Sequence, residues 1–207
     1  MLSLYNKFSR IKRLLLTQFF YKFHFESIGK KTIIFKPLKL LNSQNITIGD
    51  NVNIEENVTL YSVDKYNNTA YGGKIFVGDN TYINSSCNIT AANEIHIEEN
   101  VVIAFNVSFF DFNHNFDNIH IPVKYSNLKL LGKIRISRNC WIGMNVAIIG
   151  NVTLGEYCIV GANSVVTKSF PSYSIIAGVP AKIIKRYHFE FKKWKKTNSK
   201  GEFIDEI

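Results

Sequence analysis

The sequence predicts an all-β solenoid. Aliphatic residues recur every six positions between residues 48 and 166, and Asn, Asp and Gly recur at fixed places between them. The apolar share is 46%, with 14% aromatic, which is ample for a continuous core. A 3.6-residue period fails over these segments, so they are not amphipathic helices. Strict alternation fits only inside each short piece.

The repeat starts at Ile48-Gly-Asp-Asn-Val-Asn and continues through Ile54-Glu-Glu-Asn-Val-Thr to Leu60. It resumes at Val77 and Ile83 and, after a slip of two residues, at Ile97 and Ile103. The longest run covers Ile136, Ile142, Ile148, Leu154, Val160 and Val166. Each hexad has an aliphatic first position, Asn at the fourth, and a small or β-branched fifth. Asn, Asp and Gly tolerate the left-handed backbone that tight corners need. Positions one and five therefore point inward, and successive coils stack them into one core. Cys87, Cys140 and Cys158 all fall at position five. They read as buried small apolar residues rather than nucleophiles.

Three segments flank or interrupt the beat. Residues 1–44 read as a basic, apolar cap. Leu4, Phe8, Ile11, Leu15 and Phe19 lie at helical spacing, and the stripe is expected to cover the open end of the column. A second reading is an interfacial helix giving peripheral membrane contact. Within the repeat domain, 45–186, two excursions leave the pattern at 63–74 and 110–133, and insertions in solenoids tend to carry the binding face. The tail, 187–207, is expected to begin as a C-terminal helix.

Charge is uneven. The net is +9, yet residues 1–40 carry nine Lys/Arg against Glu26 alone, while 41–181 carry eight against eleven acids. No nucleic-acid-reading motif organises the basic ends. They suit an anionic membrane surface or a phosphate-bearing ligand. Three cysteines without CxxC argue against a disulfide framework and a thiolate zinc site. "RLLLTQFF" is too short to span a bilayer, and nothing reads as a signal peptide, so a cytoplasmic location is expected.

The hexads over about 45–186 resemble the hexapeptide-repeat acetyltransferases. That resemblance implies a left-handed parallel β-helix, a handedness the periodicity does not supply. Within the superfamily the chain is most similar to the galactoside, maltose and nodulation-factor O-acetyltransferases and their surface-polysaccharide relatives. These place a catalytic His in a loop, and "DFNHNFD" matches that loop with His114 as its candidate. Phe112 stands where many polysaccharide relatives have a first His. "YINSSC" resembles the segment whose Asn holds the acceptor, here Asn84, and Asp117 is a further acceptor-side candidate. Ala91 and Ala92 replace an acid of the sugar-specific members, which implies an acceptor other than galactoside or maltose.

The stretch "NSVVTKSFPSYSIIAGVPAKIIKR" resembles the coils along which acetyl-CoA lies between two subunits of a homotrimer. By that match, Met144 and Ala162 face the pantetheine arm with Gly143 on the same cofactor-binding strand, Thr167 and Lys168 sit near the far end of the cofactor, and Lys182 and Lys185 meet its phosphates. Lys in place of Arg keeps the charge but loses bidentate geometry. Met144 stands where relatives often have Ser, so the oxyanion donor is expected to be a backbone N–H from the strand at Gly143 and Met144. A base with a near-neutral pKa suits deprotonation of a sugar hydroxyl. No metal is expected, since His96 and His120 do not form the three-His zinc pattern of related carbonic anhydrases. The implied function is acetyl transfer from acetyl-CoA to a hydroxyl of a sugar or glycan. Rivals are N-acetylation of an amino sugar nucleotide, whose enzymes usually carry an N-terminal domain larger than residues 1–44, and a non-catalytic sugar-binding scaffold.

Overall fold

The computed structural model describes residues 2–204, with the side chains of residues 2–8 outside that description. After the N-terminal helix α1 (Leu2–Phe19), the chain visits three sheets in strict rotation. Ile46–Ile48 lies in the first sheet, Asn53–Ile54 in the second and Thr59–Ser62 in the third. Lys74–Val77, Tyr82–Ile83 and Asn88–Ala91 repeat the cycle one layer on. Coil-to-coil pairing is parallel and in register: Ile54 pairs with Ile83, Ile83 with Ile103, Ile103 with Ile142 and Ile142 with Val160.

The hexad explains the geometry. First positions such as Ile48, Ile54, Leu60, Ile83, Ile103, Phe109 and Ile148 are buried and belong to one core cluster. Fifth positions are buried too, including Val52, Val58, Thr81, Val107, Cys87, Cys140 and Cys158. Full burial of each large aliphatic contributes about 1.5–3 kcal/mol, so the stack of coils builds the core layer by layer. Burial pushes the Cys87 thiol up to about 11, which leaves it protonated and inert at neutral pH. Fourth positions turn the corners. Asn51, Asn57, Asn80, Asn100, Asn106, Asn139, Asn145 and Asn163 all have φ between 54° and 61°. At the last two coils between the first and second sheets, Tyr157 and Tyr173 take that corner instead.

Both ends differ from expectation. The coils begin before residue 45: Ser27–Ile28 already pairs in parallel with Thr47 and Ile48. At the other end there is no helix among the described residues. Ala181–His188 and Lys193–Lys196 form an antiparallel hairpin that adds to the second sheet beyond Ser174–Gly178. Tyr157, Tyr173, Tyr187 and Trp194 line a cavity of about 280 Å³ where this hairpin meets the corner. The hairpin buries Ala181 and Ile183 against the end of the core, which is what a terminal coil requires.

Candidate active site

Both excursions leave the chain at the same corner, between the third and first sheets, and they converge. Lys65–Tyr66 and Thr69–Ala70 form a small hairpin. Phe112–His114 and Leu128–Leu130 form a two-stranded arm, with His114 opposite Leu128. The Tyr71 hydroxyl accepts from Leu128 N–H at 2.8 Å and donates to Leu128 O at 3.1 Å. Asn67 donates to Ser126 O at 3.0 Å. Val63, Ala92 and Leu128 pack beneath, with Tyr61, Tyr66, Tyr71 and Phe112 around them. Asp111 anchors the root of the arm. It is fully buried, and its carboxylate accepts from Ala92 N–H at 2.7 Å and Asn93 N–H at 2.9 Å. Burial raises its pKa from the usual carboxylate value, opposed by those bonds.

His114 therefore sits on a braced arm rather than a loose loop. Its ring lies 5.3 Å from the Tyr66 ring, edge-on at 68°. Its Nδ1 is buried and has no hydrogen-bond partner. A buried, unpaired ring nitrogen is costly and uncommon in a finished fold. Asp117 does not orient the imidazole. Its carboxylate is held by Lys129 Nζ at 2.9 Å, in an exposed pair that contributes little to stability.

A second group of residues gathers on the corner between the second and third sheets. The in-register pairing stacks Asn84, Ala104, Gly143, Gly161 and Ala177 in one column, and Ala177 pairs with Lys182. At about 4.8 Å per strand spacing, this ridge runs roughly 24 Å from Asn84 to Lys182. Met144, half exposed, and Ala162 lie beside it. Small residues are required here. A Cβ on Gly143 would stand 2.7 Å from both Val160 O and Ala162 N, which are backbone atoms that cannot step aside. The Gly143 N–H is already bonded to Val160 O at 2.8 Å, so it cannot serve as an oxyanion donor. The neighbouring Met144 N–H makes no hydrogen bond among the described residues.

Thr167 and Lys168 are exposed and follow Val165–Val166 at the end of the third sheet, on the border that carries the arm. Lys185, opposite Ile175, lies off the ridge and half buried. One chain thus splits the candidate residues. Asn84, Gly143, Met144, Ala162 and Lys182 share the ridge. His114, Asp117, Thr167 and Lys168 occupy the opposite border of the third sheet. The strand between them, Asn88–Ala91, is four residues wide, or roughly 13 Å at 3.3 Å per residue. Tyr66, Tyr71 and Asp111 are site-building residues that the repeat pattern did not flag. Their only sequence signal is the aromatic content of "DKYNNTAY" and the Asp just before the break.

Residues 133–168 match the family model described as bacterial transferase hexapeptide (six repeats). Over 194 residues the chain is 32% identical to a putative lipopolysaccharide biosynthesis O-acetyl transferase, WbbJ, of Escherichia coli K12, covering 90% of this chain and 91% of that protein. Among solved structures it is similar to AntD, an N-acyltransferase from Bacillus cereus in complex with dTDP and 3-hydroxybutyryl-CoA. That similarity has a TM-score of 0.69 and 26% identity, over 84% of this chain and 90% of the other. A galactoside acetyltransferase in complex with coenzyme A gives a TM-score of 0.59 and 29% identity, over 77% and 72%. The chain belongs to the hexapeptide-repeat acetyltransferases.

Proposed function

We propose that the protein is an acetyl-CoA-dependent O-acetyltransferase acting on a sugar hydroxyl in surface-polysaccharide biosynthesis. The observation that carries the reading is His114, braced by two excursions, with its Nδ1 enclosed and its Nε2 the nitrogen left to face an acceptor. Nε2 takes the proton as the hydroxyl oxygen attacks the thioester carbonyl. The Met144 N–H, unbonded among the described residues, is the donor for the resulting oxyanion. Collapse expels the coenzyme A sulfur, which recovers the proton from the imidazolium. No covalent enzyme intermediate is needed.

The ridge accommodates the extended coenzyme. Its column of small side chains lets the pantetheine arm approach the backbone beside Met144 and Ala162. Lys182 at its end meets phosphate as a point charge, with Lys185 beside it and Thr167 and Lys168 contributing from the opposite border of a neighbouring copy. Asn84 holds the acceptor at the other end. Asp117 reaches it only by releasing Lys129.

The split of these residues over two borders supports a homotrimer in which the arm of one copy faces the ridge of the next. A base and an oxyanion donor on opposite borders of the third sheet cannot act on one acceptor. The left-handed sense of the coil and a cytoplasmic location, where acetyl-CoA is available, complete the reading.

The likeness to AntD, an N-acyltransferase also solved with dTDP-4-amino-4,6-dideoxyglucose and coenzyme A, favours one alternative, acyl transfer to the amine of a nucleotide-linked amino sugar. Thiol release from acetyl-CoA, screened against sugars, nucleotide sugars and their amino derivatives, separates the two. The O-acetyl reading requires turnover with a hydroxyl acceptor and a product cleaved by mild alkali. Turnover confined to amino sugars selects the alternative, and no thiol release with any acceptor selects a binding scaffold.

A further inference from the structure

Helix α1 packs on the column through its mixed face. Thr17 is fully buried, and its hydroxyl accepts from Ile34 N–H at 2.9 Å and donates to Arg13 O at 2.9 Å. Gln18 donates to Gly29 O at 3.0 Å, and Arg10 donates to Asn53 Oδ1 at 3.1 Å. The apolar stripe points the other way. Ile11, Leu15 and Phe19 are 50%, 51% and 72% exposed. At about 100° per residue, they fall within roughly 80° of arc. Phe20 and Phe23, 56% and 81% exposed, extend this surface past the end of the helix. Leu4 and Phe8, also in the stripe, lie outside the described side chains. Among the described side chains the stripe therefore does not cover the core as the sequence leads one to expect.

A helix that caps a core normally turns its apolar stripe inward. Here Thr17, Gln18 and Arg10 make inward hydrogen bonds and Leu14 and Leu16 are half buried, while Ile11, Leu15 and Phe19 are left in water at a cost that a partner surface would remove. Exposed Lys12 and Lys22 flank the stripe, in a segment whose nine cations face Glu26 alone. Two copies joined through this face would set those cations against each other. An anionic bilayer instead draws them in while the acyl boundary receives the phenylalanines. Among the described residues no helix is long and apolar enough to cross a membrane. Occupancy is therefore in the plane of the interface.

We infer that the outward face of α1, with Phe20 and Phe23, seats the protein on an anionic lipid surface. The inference stands independently of the acyl-transfer reading. The test is flotation of the full chain with vesicles of phosphatidylcholine, alone or with one-third phosphatidylglycerol. Binding to the anionic vesicles at least about tenfold above the neutral ones, weakened by 0.5 M salt, is expected. Leu15→Ser/Phe19→Ser should lower that partition at least about tenfold with the melting temperature held, because both side chains are already exposed. Equal partition on neutral and anionic vesicles overturns the inference. So does a double variant that still floats like the parent, or one whose only change is a smaller oligomer, which would mark the face as a contact between copies.

Discussion

The Tyr66 ring stands edge-on to the His114 imidazole, 5.3 Å between centroids, and the two residues come from separate interruptions of the repeat. Positioning, rather than proton transfer, is the role open to Tyr66, whose hydroxyl is 3.4 Å from Lys124 O. Tyr66→Ala should lower kcat about tenfold, since a freed imidazole spends less time aligned. Coenzyme affinity should hold, and Tyr66→Phe should keep most of the activity. Steady-state kinetics with both variants check this. Equal losses in the two would move the role to the hydroxyl.

Tyr71 ties the two excursions together through both backbone groups of Leu128. Tyr71→Phe leaves that N–H and C=O without their partner, at a cost of about 1–3 kcal/mol. The denaturation midpoint should fall accordingly. Amide exchange should quicken along residues 112–130 while the coils stay protected. Exchange that quickens evenly through the column would show that the arm is not the local unit this bond holds.

Glu98 gives the pH dependence a sign. Burial pushes its pKa up, but the Arg138 N–H at 3.0 Å and the Arg135 guanidinium outweigh that and hold it below the usual carboxylate range. A folded value below the unfolded one, about 4.3, means stability that is present above that pH and lost as pH falls through the folded value. Melting temperatures between pH 6 and pH 3 should therefore drop less steeply for Glu98→Gln than for the parent. Parallel curves would remove Glu98 from the acid response.

Much of the column is readable in the sequence because a hexad fixes burial twice, at Ile48 or Ile142 and again at Val52 or Val146. Ile28, Ile34 and Leu40 carry the same step of six, but Lys30, Lys31, Lys36 and Lys39 hide it, so the earliest coil reads as part of a cap. The tail is ambiguous for a related reason. In "AKIIKRYH" Ala181 and Ile183 alternate as strand residues, yet the surrounding lysines resemble a solvated helix face. His114 stands out in the sequence because it interrupts a period. Its brace does not. Tyr66 and Leu128 meet only because residues 63 and 111 leave the same corner with one coil between them, a fact of stacking rather than of spacing.

The most direct measurement is turnover of His114→Ala beside its affinity for acetyl-CoA. A base that acts on the acceptor, apart from the coenzyme's ridge, predicts a fall in kcat of at least about a hundredfold with coenzyme Kd within about threefold of the parent. Parent-like turnover in a folded His114→Ala protein would contradict the account.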